Sequence, residues 1–133
     1  MPPVSVKTSR KQTLLSEELR VLRKEFPRDD FRGTYEKLVK IEQGNRIIGI
    51  GGVFKRHGIF NSVFILVPKA YRGKGYGKML MEHILNGSRY MLLTTLSSNK
   101  KAISLYKKFK FRTICPWRNQ GKWFIVMLRV TLR

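Results

Sequence analysis

The sequence predicts a mixed α/β fold built on one central sheet of six to seven strands, antiparallel for most of its width, with helices on both faces. Three observations lead there. Between Glu36 and Val67 three strand-length runs succeed one another across short turns, which is the pattern of an antiparallel meander. After Val67 the chain alternates between helix-period and strand-like segments, the order that places helices against a sheet. With 133 residues, 42% of them hydrophobic, the chain is long enough for one core and too short for two, so residues 1–133 read as a single domain.

Each element has its own signal. Residues 3 to 8 alternate in the manner of a first strand. A helix follows from Ser16, which is placed to cap it; Leu15, Leu19, Leu22 and Phe26 recur at helical spacing, Glu17 and Glu18 suit its positive end, and Pro27 stops it. Asp29 to Tyr35 reads as a loop. The meander runs Glu36–Gln43, Arg46–Lys55 and Ile59–Val67, with turns at Gly44-Asn45 and His57-Gly58. A glycine-rich segment, Arg72 to Gly77, opens a helix with Met79, Leu80, Ile84 and Leu85 on its inner face and Asn86-Gly87 at its end. Tyr90–Leu96 is a buried strand, Asn99 to Phe109 a helix, and Phe111–Cys115 and Lys122–Val130 are strands joined by a turn around Asn119 to Gly121.

Composition narrows the function. A single cysteine, Cys115, allows no internal disulfide, which fits a reducing compartment, and a cytoplasmic protein is expected. Apolar runs such as Val63 to Val67 are strand-length, so no membrane span or export signal is expected. The charge is +20, from 28 Lys and Arg against 8 Asp and Glu, and only Glu82 is acidic after Glu42. Such a field draws in anions: nucleic acid, acidic peptides, or the phosphates of a cofactor.

The strongest chemical signal is Val67-Pro-Lys-Ala-Tyr-Arg72-Gly73-Lys74-Gly75-Tyr76-Gly77-Lys78, between a strand and a helix. Glycines let the backbone curl so that successive N–H groups converge, and the helix N-terminus adds partial positive charge, which together suit a pyrophosphate. Arg72, Lys74 and Lys78 bring charge-assisted donors. A P-loop is excluded because Met79, not Ser or Thr, follows Gly77-Lys78, and the Rossmann fingerprint is excluded by the Gly73, Gly75, Gly77 spacing.

This segment resembles the acetyl-CoA loop of the GNAT superfamily of N-acetyltransferases, Arg or Gln, x, x, Gly, x, Gly or Ala, which Arg72, Gly75 and Gly77 fill. A second segment, from Asn99 through Ala102, Leu105 and Tyr106 to Phe111, resembles the family's Asn-x-x-Ala-x-x-Leu-Tyr-x-x-x-Gly-Phe run, with Lys110 where glycine is usual. A lysine there costs about 1 kcal/mol if its backbone is left-handed.

The resemblance implies transfer of an acetyl group from acetyl-CoA to a primary amine by direct attack through a tetrahedral intermediate, without a metal. It implies a V-shaped cleft where the strand ending at Val67 splays from its neighbour, Leu66 and Val67 offering backbone groups to the pantetheine. Residues Arg72, Gly73, Lys74, Gly75, Tyr76, Gly77 and Lys78 would hold the diphosphate. Asn99 would approach the pantetheine, cap its helix, or do both. Tyr106 would serve as general acid to the leaving thiolate, the alternative being a packed core aromatic. A backbone N–H on that strand, by position that of Val67, would polarise the thioester carbonyl.

No general base follows from the sequence. Asn61 to Val67 carries no carboxylate, which leaves Glu36, Glu42, His57 and water held by carbonyls, each of the three side chains being equally an ordinary surface group. The cationic field would itself lower an amine's pKa. The acceptor is expected to be anionic in character, a protein or peptide among the candidates, and pairing of the final strands across a two-fold axis would make a homodimer. Two other classes stay open: an acyl-CoA-binding regulatory module without turnover, and a basic nucleic-acid or ribosome-associated protein using Trp117, Arg118, Lys122 and Trp123. For the two tryptophans, packing in the core and sheet edge is the expectation.

Overall fold

Alternation along the strands decides how the sheet is covered. The computed structural model describes residues 4–12, 14–25, 35–57, 60–86 and 89–131. Its elements, in chain order, are β1 (Val4–Gln12), α1 (Ser16–Glu25), β2 (Tyr35–Gln43), β3 (Arg46–His57), β4 (Phe60–Leu66), α2 (Tyr76–Ile84), β5 (Tyr90–Leu96), α3 (Lys100–Lys108), β6 (Arg112–Asn119) and β7 (Lys122–Val130). A single 3-10 turn, Lys69–Tyr71, precedes α2. The seven strands are ordered β1-β2-β3-β4-β5-β7-β6. The β1–β2, β2–β3, β5–β7 and β6–β7 pairs are antiparallel, and β4–β5 is parallel, with Asn61 opposite Met91 and Ser62 opposite Leu92. This is the expected mixed, mostly antiparallel α/β sheet.

The chain divides into two compact units, residues 1–54 with 64–86 and residues 55–63 with 87–133. In the first, α1 and α2 lie on opposite faces of the sheet. Leu22 of α1 packs with Leu38, Ile50 and Leu66, while the other face of β3 meets α2. There the glycines of β3 allow close approach: a Cβ on Gly49 would lie 3.2 Å from Leu80 Cδ1, and one on Gly51 would strike Ile84 Cδ1. In the second unit the core is Met91, Leu93, Tyr106, Phe111 and Met127, all buried. Arg129 ties β7 to the end of α3 by donating from Nε to the Phe109 carbonyl at 2.9 Å.

Several local expectations are corrected. Ser16 is the first residue of α1 rather than its cap, and the carboxylate of Glu18 accepts the Leu15 N–H at 2.8 Å, an N3 side chain reaching back to the helix start. Leu15 is exposed and Leu14 takes its place in the core. On α2 the buried face is Leu80, Met81 and Ile84, so Met81 replaces Met79. The strand expected over Phe111–Cys115 begins one residue later and continues to Asn119. Phe26, Pro27, most of the Asp29 to Tyr35 loop, Gly58 and Gly87 lie outside the described residues. Among the described residues no helix is long and apolar enough to cross a membrane.

Candidate functional site

The segment after β4 folds as a tight corner because two of its residues take backbone angles that favour glycine. Gly73 has φ 80° and Gly75 φ 86°, and a Cβ at either would meet nothing within 4 Å, so the corner is open to solvent on that side. Gly75 is the N-cap of α2, with no side chain bonded to the helix start and no acid in the first turn. The leading amides of a helix have no intrahelical acceptor, so the N–H groups of Tyr76, Gly77 and Lys78 form a partial positive charge that no residue of the first turn offsets. Lys74 and Lys78 are exposed beside them.

Arg72 has a more specific place than the sequence indicates. Its Nε donates to the Val67 carbonyl at 2.8 Å, which staples the end of β4 to the glycine corner. The Val67 carbonyl is therefore engaged. Leu66 points its side chain into the core beside Leu22 and Leu38. The 3-10 turn closes the same loop, with Tyr71 N–H donating to Pro68 O at 2.9 Å.

In the second unit, Asn99 is the N-cap of α3, its side-chain oxygen accepting the Ala102 N–H at 3.3 Å. Tyr106, one of the buried residues of that unit, is pushed up to about 12 by burial, so its phenol stays protonated through the neutral range. Its ring meets Phe111 edge-on, 6.1 Å between centroids. Lys110 has φ 73°, the left-handed conformation that a glycine would take without strain.

The candidate bases fare unequally. Glu42 is 2.8 Å from the Lys7 ammonium, whose hydrogen bond holds its carboxyl below the usual range and makes it a poorer proton acceptor. Glu36 lies on β2, half-buried, and the side chain of His57 lies outside the described residues. Among the described residues no three His, Cys, Asp or Glu side chains cluster closely enough to hold a metal ion.

Two features escape a sequence reading. Lys37, in the middle of an alternating strand, is buried, and its ammonium donates to the His83 and Asn86 carbonyls at 2.6 and 3.1 Å, at the C-terminal end of α2. Glu18 is also buried and pairs with Lys40 at 3.0 Å, joining α1 to β2. Trp117 and Trp123, expected in the core or packed at the sheet edge, are instead 47% and 51% exposed.

A strand end stapled to a glycine corner gives this α/β fold a helix start with no acid in its first turn, a geometry that suits an anion. The chain belongs to the GNAT acetyltransferase family, whose domain model, described as acetyltransferase (GNAT) domain, matches residues 34–113. It is 26% identical over 80 residues to the peptidyl-lysine N-acetyltransferase YiaC of Escherichia coli (strain K12), a match covering 59% of this chain and 53% of YiaC. The chain thus spans about half the length of the curated relative it matches. Its fold is similar to that of the IAA acetyltransferase from Bacillus cereus ATCC 14579, with a TM-score of 0.71 at 19% identity over 97% of this chain and 100% of that one. It is similar also to Arabidopsis thaliana NAA60 in complex with acetyl-CoA, with a TM-score of 0.69 at 16% identity over 95% and 98%.

Proposed function

We propose that the chain works as a single N-acetyltransferase domain that transfers the acetyl group of acetyl-CoA to a primary amine. The observation that carries this reading is the uncapped start of α2 at Gly75, with positive φ at Gly73 and Gly75 and no acid in the first turn. A diphosphate needs such a start, because it accepts several main-chain N–H groups at once and gains from the helix dipole. The residues therefore fit the group. Bound acetyl-CoA supplies an activated thioester.

The chain's own residues then have distinct tasks. The amides of Tyr76, Gly77 and Lys78 bind diphosphate oxygens, Lys74 and Lys78 add charge, and Arg72 holds the loop in register with β4 through Val67. Leu66 and Val67 present main-chain groups to the acylated pantetheine, with Arg72 already on one of the two acceptor positions of the Val67 carbonyl. The Val67 N–H is the group that polarises the thioester carbonyl. Asn99 uses its side-chain oxygen on Ala102, so the amide NH₂ is the half of the side chain left for the pantetheine. Tyr106 keeps its O–H at neutral pH and donates that hydrogen bond, or the proton itself, to the departing thiolate, regaining any proton it gives from the water that receives the amine's. The amine's own proton leaves to water, the field of 28 basic against 8 acidic residues lowering its pKa. The same field favours an acceptor that is anionic around its amine.

Calorimetry with coenzyme A tests the site: Gly75→Asp, which sets a carboxylate at the helix start and strains the corner, weakens binding by about 100-fold, on the order of the dipole and charge terms it reverses. Turnover is then read over an amine panel headed by lysine peptides, since YiaC is a peptidyl-lysine N-acetyltransferase. Coenzyme A affinity indifferent to Gly75→Asp would remove the reading, and tight binding with no turnover on any amine would reduce it to an acyl-CoA-binding module.

A further inference from the structure

The charge of this chain is divided very unevenly. Residues 55–63 and 87–133, which make up the second unit, hold thirteen of the 28 basic residues and none of the eight acids. At the edge of its sheet stands the β6–β7 ribbon, in which all eight residues of β6 are exposed. The ribbon turns at Gln120 and Gly121, φ 51° and 76°, the pair of left-handed residues that suits a two-residue hairpin.

Both faces of this ribbon carry an aromatic beside a cation. Trp117 pairs across the strands with Phe124, their rings 5.5 Å apart, and Lys122 follows on the same face by alternation. On the opposite face Arg118 pairs with Trp123, its guanidinium 5.7 Å from the ring centroid. Packing does not explain these tryptophans, which leave about half their surface in water. Behind the tip, Phe124, Val126 and Leu128 on that first face are only half-buried.

We propose that the β6–β7 ribbon is a binding site for single-stranded RNA that crosses the hairpin end, its bases stacking on Trp117 on one face and on Trp123 on the other while Arg118 and Lys122 contact the phosphates. The chemistry selects this partner. An unbalanced cationic unit attracts a polyanion, and exposed aromatics with flanking cations offer stacking to unpaired bases. Duplex DNA hides its base faces in the stack, whereas RNA commonly presents single-stranded stretches with bases splayed out. An acidic peptide adding to the sheet fits less well: β6, the edge strand, has a register shift between Thr113 and Cys115, and Pro116 has no N–H to give.

The test uses the full chain and a fluorescent oligouridylate of about twelve nucleotides, a length in the range of one such platform. Expected are quenching of tryptophan emission on binding and a loss of about ten-fold in affinity for Trp117→Ala and for Trp123→Ala. The double variant Lys107→Gln/Lys108→Gln, on the exposed side of α3, serves as the charge control and changes affinity by less than about three-fold with the salt dependence kept, whereas Arg118→Gln/Lys122→Gln flattens it. Coenzyme A binding and melting temperature report whether each variant is folded. Independently of any substitution, Cys115, the only cysteine, is exposed and shares the Trp117 face, so its alkylation by a maleimide slows when the oligonucleotide is bound. The proposal is overturned if the lysine variant loses as much as the tryptophan variants, if a duplex DNA of equal length binds as tightly, or if Cys115 is alkylated at the same rate with RNA present. It is likewise overturned if tryptophan emission responds to phosphatidylglycerol vesicles and not to the oligonucleotide.

Discussion

Phe111 donates its main-chain N–H to the carbonyl of Tyr106 at 3.1 Å, and the two rings meet edge-on just beyond the end of α3. Lys110 N–H donates in turn to Lys107 O at 3.0 Å, and Lys110 itself is left-handed. These two bonds, with an apolar contact between the residues that flank them, are the elements of a Schellman cap. The proposed acid is thus fixed by the way its own helix terminates: the cap that stops α3 also seats the ring of Phe111 against Tyr106.

Tyr106→Phe keeps that ring contact and removes only the hydroxyl. Turnover is expected to fall by about 100-fold with coenzyme A affinity unchanged, the scale of a lost general acid. Stability supplies a second readout. The folded phenol's pKa is raised above the unfolded value of 10.0 to about 12, so the folded state holds a proton that the unfolded state loses between those values. Stability from this group is intact below pH 10 and is lost as pH rises toward 12, on the order of 2 to 3 kcal/mol. Denaturant titrations across that window should show the natural chain losing ground to Tyr106→Phe.

Lys110→Gly relieves the left-handed strain at the same cap. Its effect is a gain of about 1 kcal/mol, less a part returned because glycine loosens the unfolded chain. A melting temperature a few degrees higher, with coenzyme A affinity unaltered, is the expected result. A drop would mean that the lysine side chain contributes more than its backbone costs.

The fold was legible where apolar runs end at residues that cannot continue them. β5 and β7 fall over Tyr90–Leu96 and Lys122–Val130 as expected, and the left-handed backbone at Lys110 is the conformation that the glycine usual there in the resembling family left open. The glycine corner is legible because its chemistry is contiguous in sequence. Lys37 is not, because a lysine in an alternating strand looks solvent-facing until the end of a helix is laid over it. The exposure of Trp117 and Trp123 is hidden for the reverse reason: alternation tells which residues share a face, and only tertiary structure tells whether anything covers that face. No general base is legible, because Asn61 to Val67 carries no carboxylate and no motif singles out the acids of the earlier strands.

Gly51→Ala tests the approach of α2 to the sheet. A Cβ there would collide with Ile84 Cδ1 and lie 3.0 Å from the Phe64 carbonyl oxygen and 3.2 Å from Ile65 Cγ2. The isoleucine tip can rotate away, but the carbonyl is main chain and cannot, so β3 and β4 must part slightly. Destabilisation of about 1 to 3 kcal/mol follows. Gly73→Ala, where a Cβ meets nothing, should cost only its backbone strain, about 1 kcal/mol. Urea midpoints of the two variants, measured together, separate overpacking from strain.

Lys37→Met asks what a buried ammonium with no carboxylate partner among the described residues contributes. Burial lowers its pKa, with the positive charge of Arg10 adding to the effect, so holding it charged carries a desolvation cost. Against that stand two hydrogen bonds to carbonyls at the negative end of α2, where a cation is favoured. Methionine is nearly isosteric and has no donor, so it removes the desolvation cost and leaves both carbonyls without this partner. If the bonds outweigh the burial, as charged bonds to partly buried acceptors usually do, stability falls by about 2 kcal/mol. Coenzyme A affinity of the folded fraction should hold within about two-fold, because a nine-residue helix places the diphosphate amides roughly 12 Å from the lysine. A methionine variant that melts higher than the natural chain would show that desolvation dominates and that Lys37 is retained for some purpose other than stability.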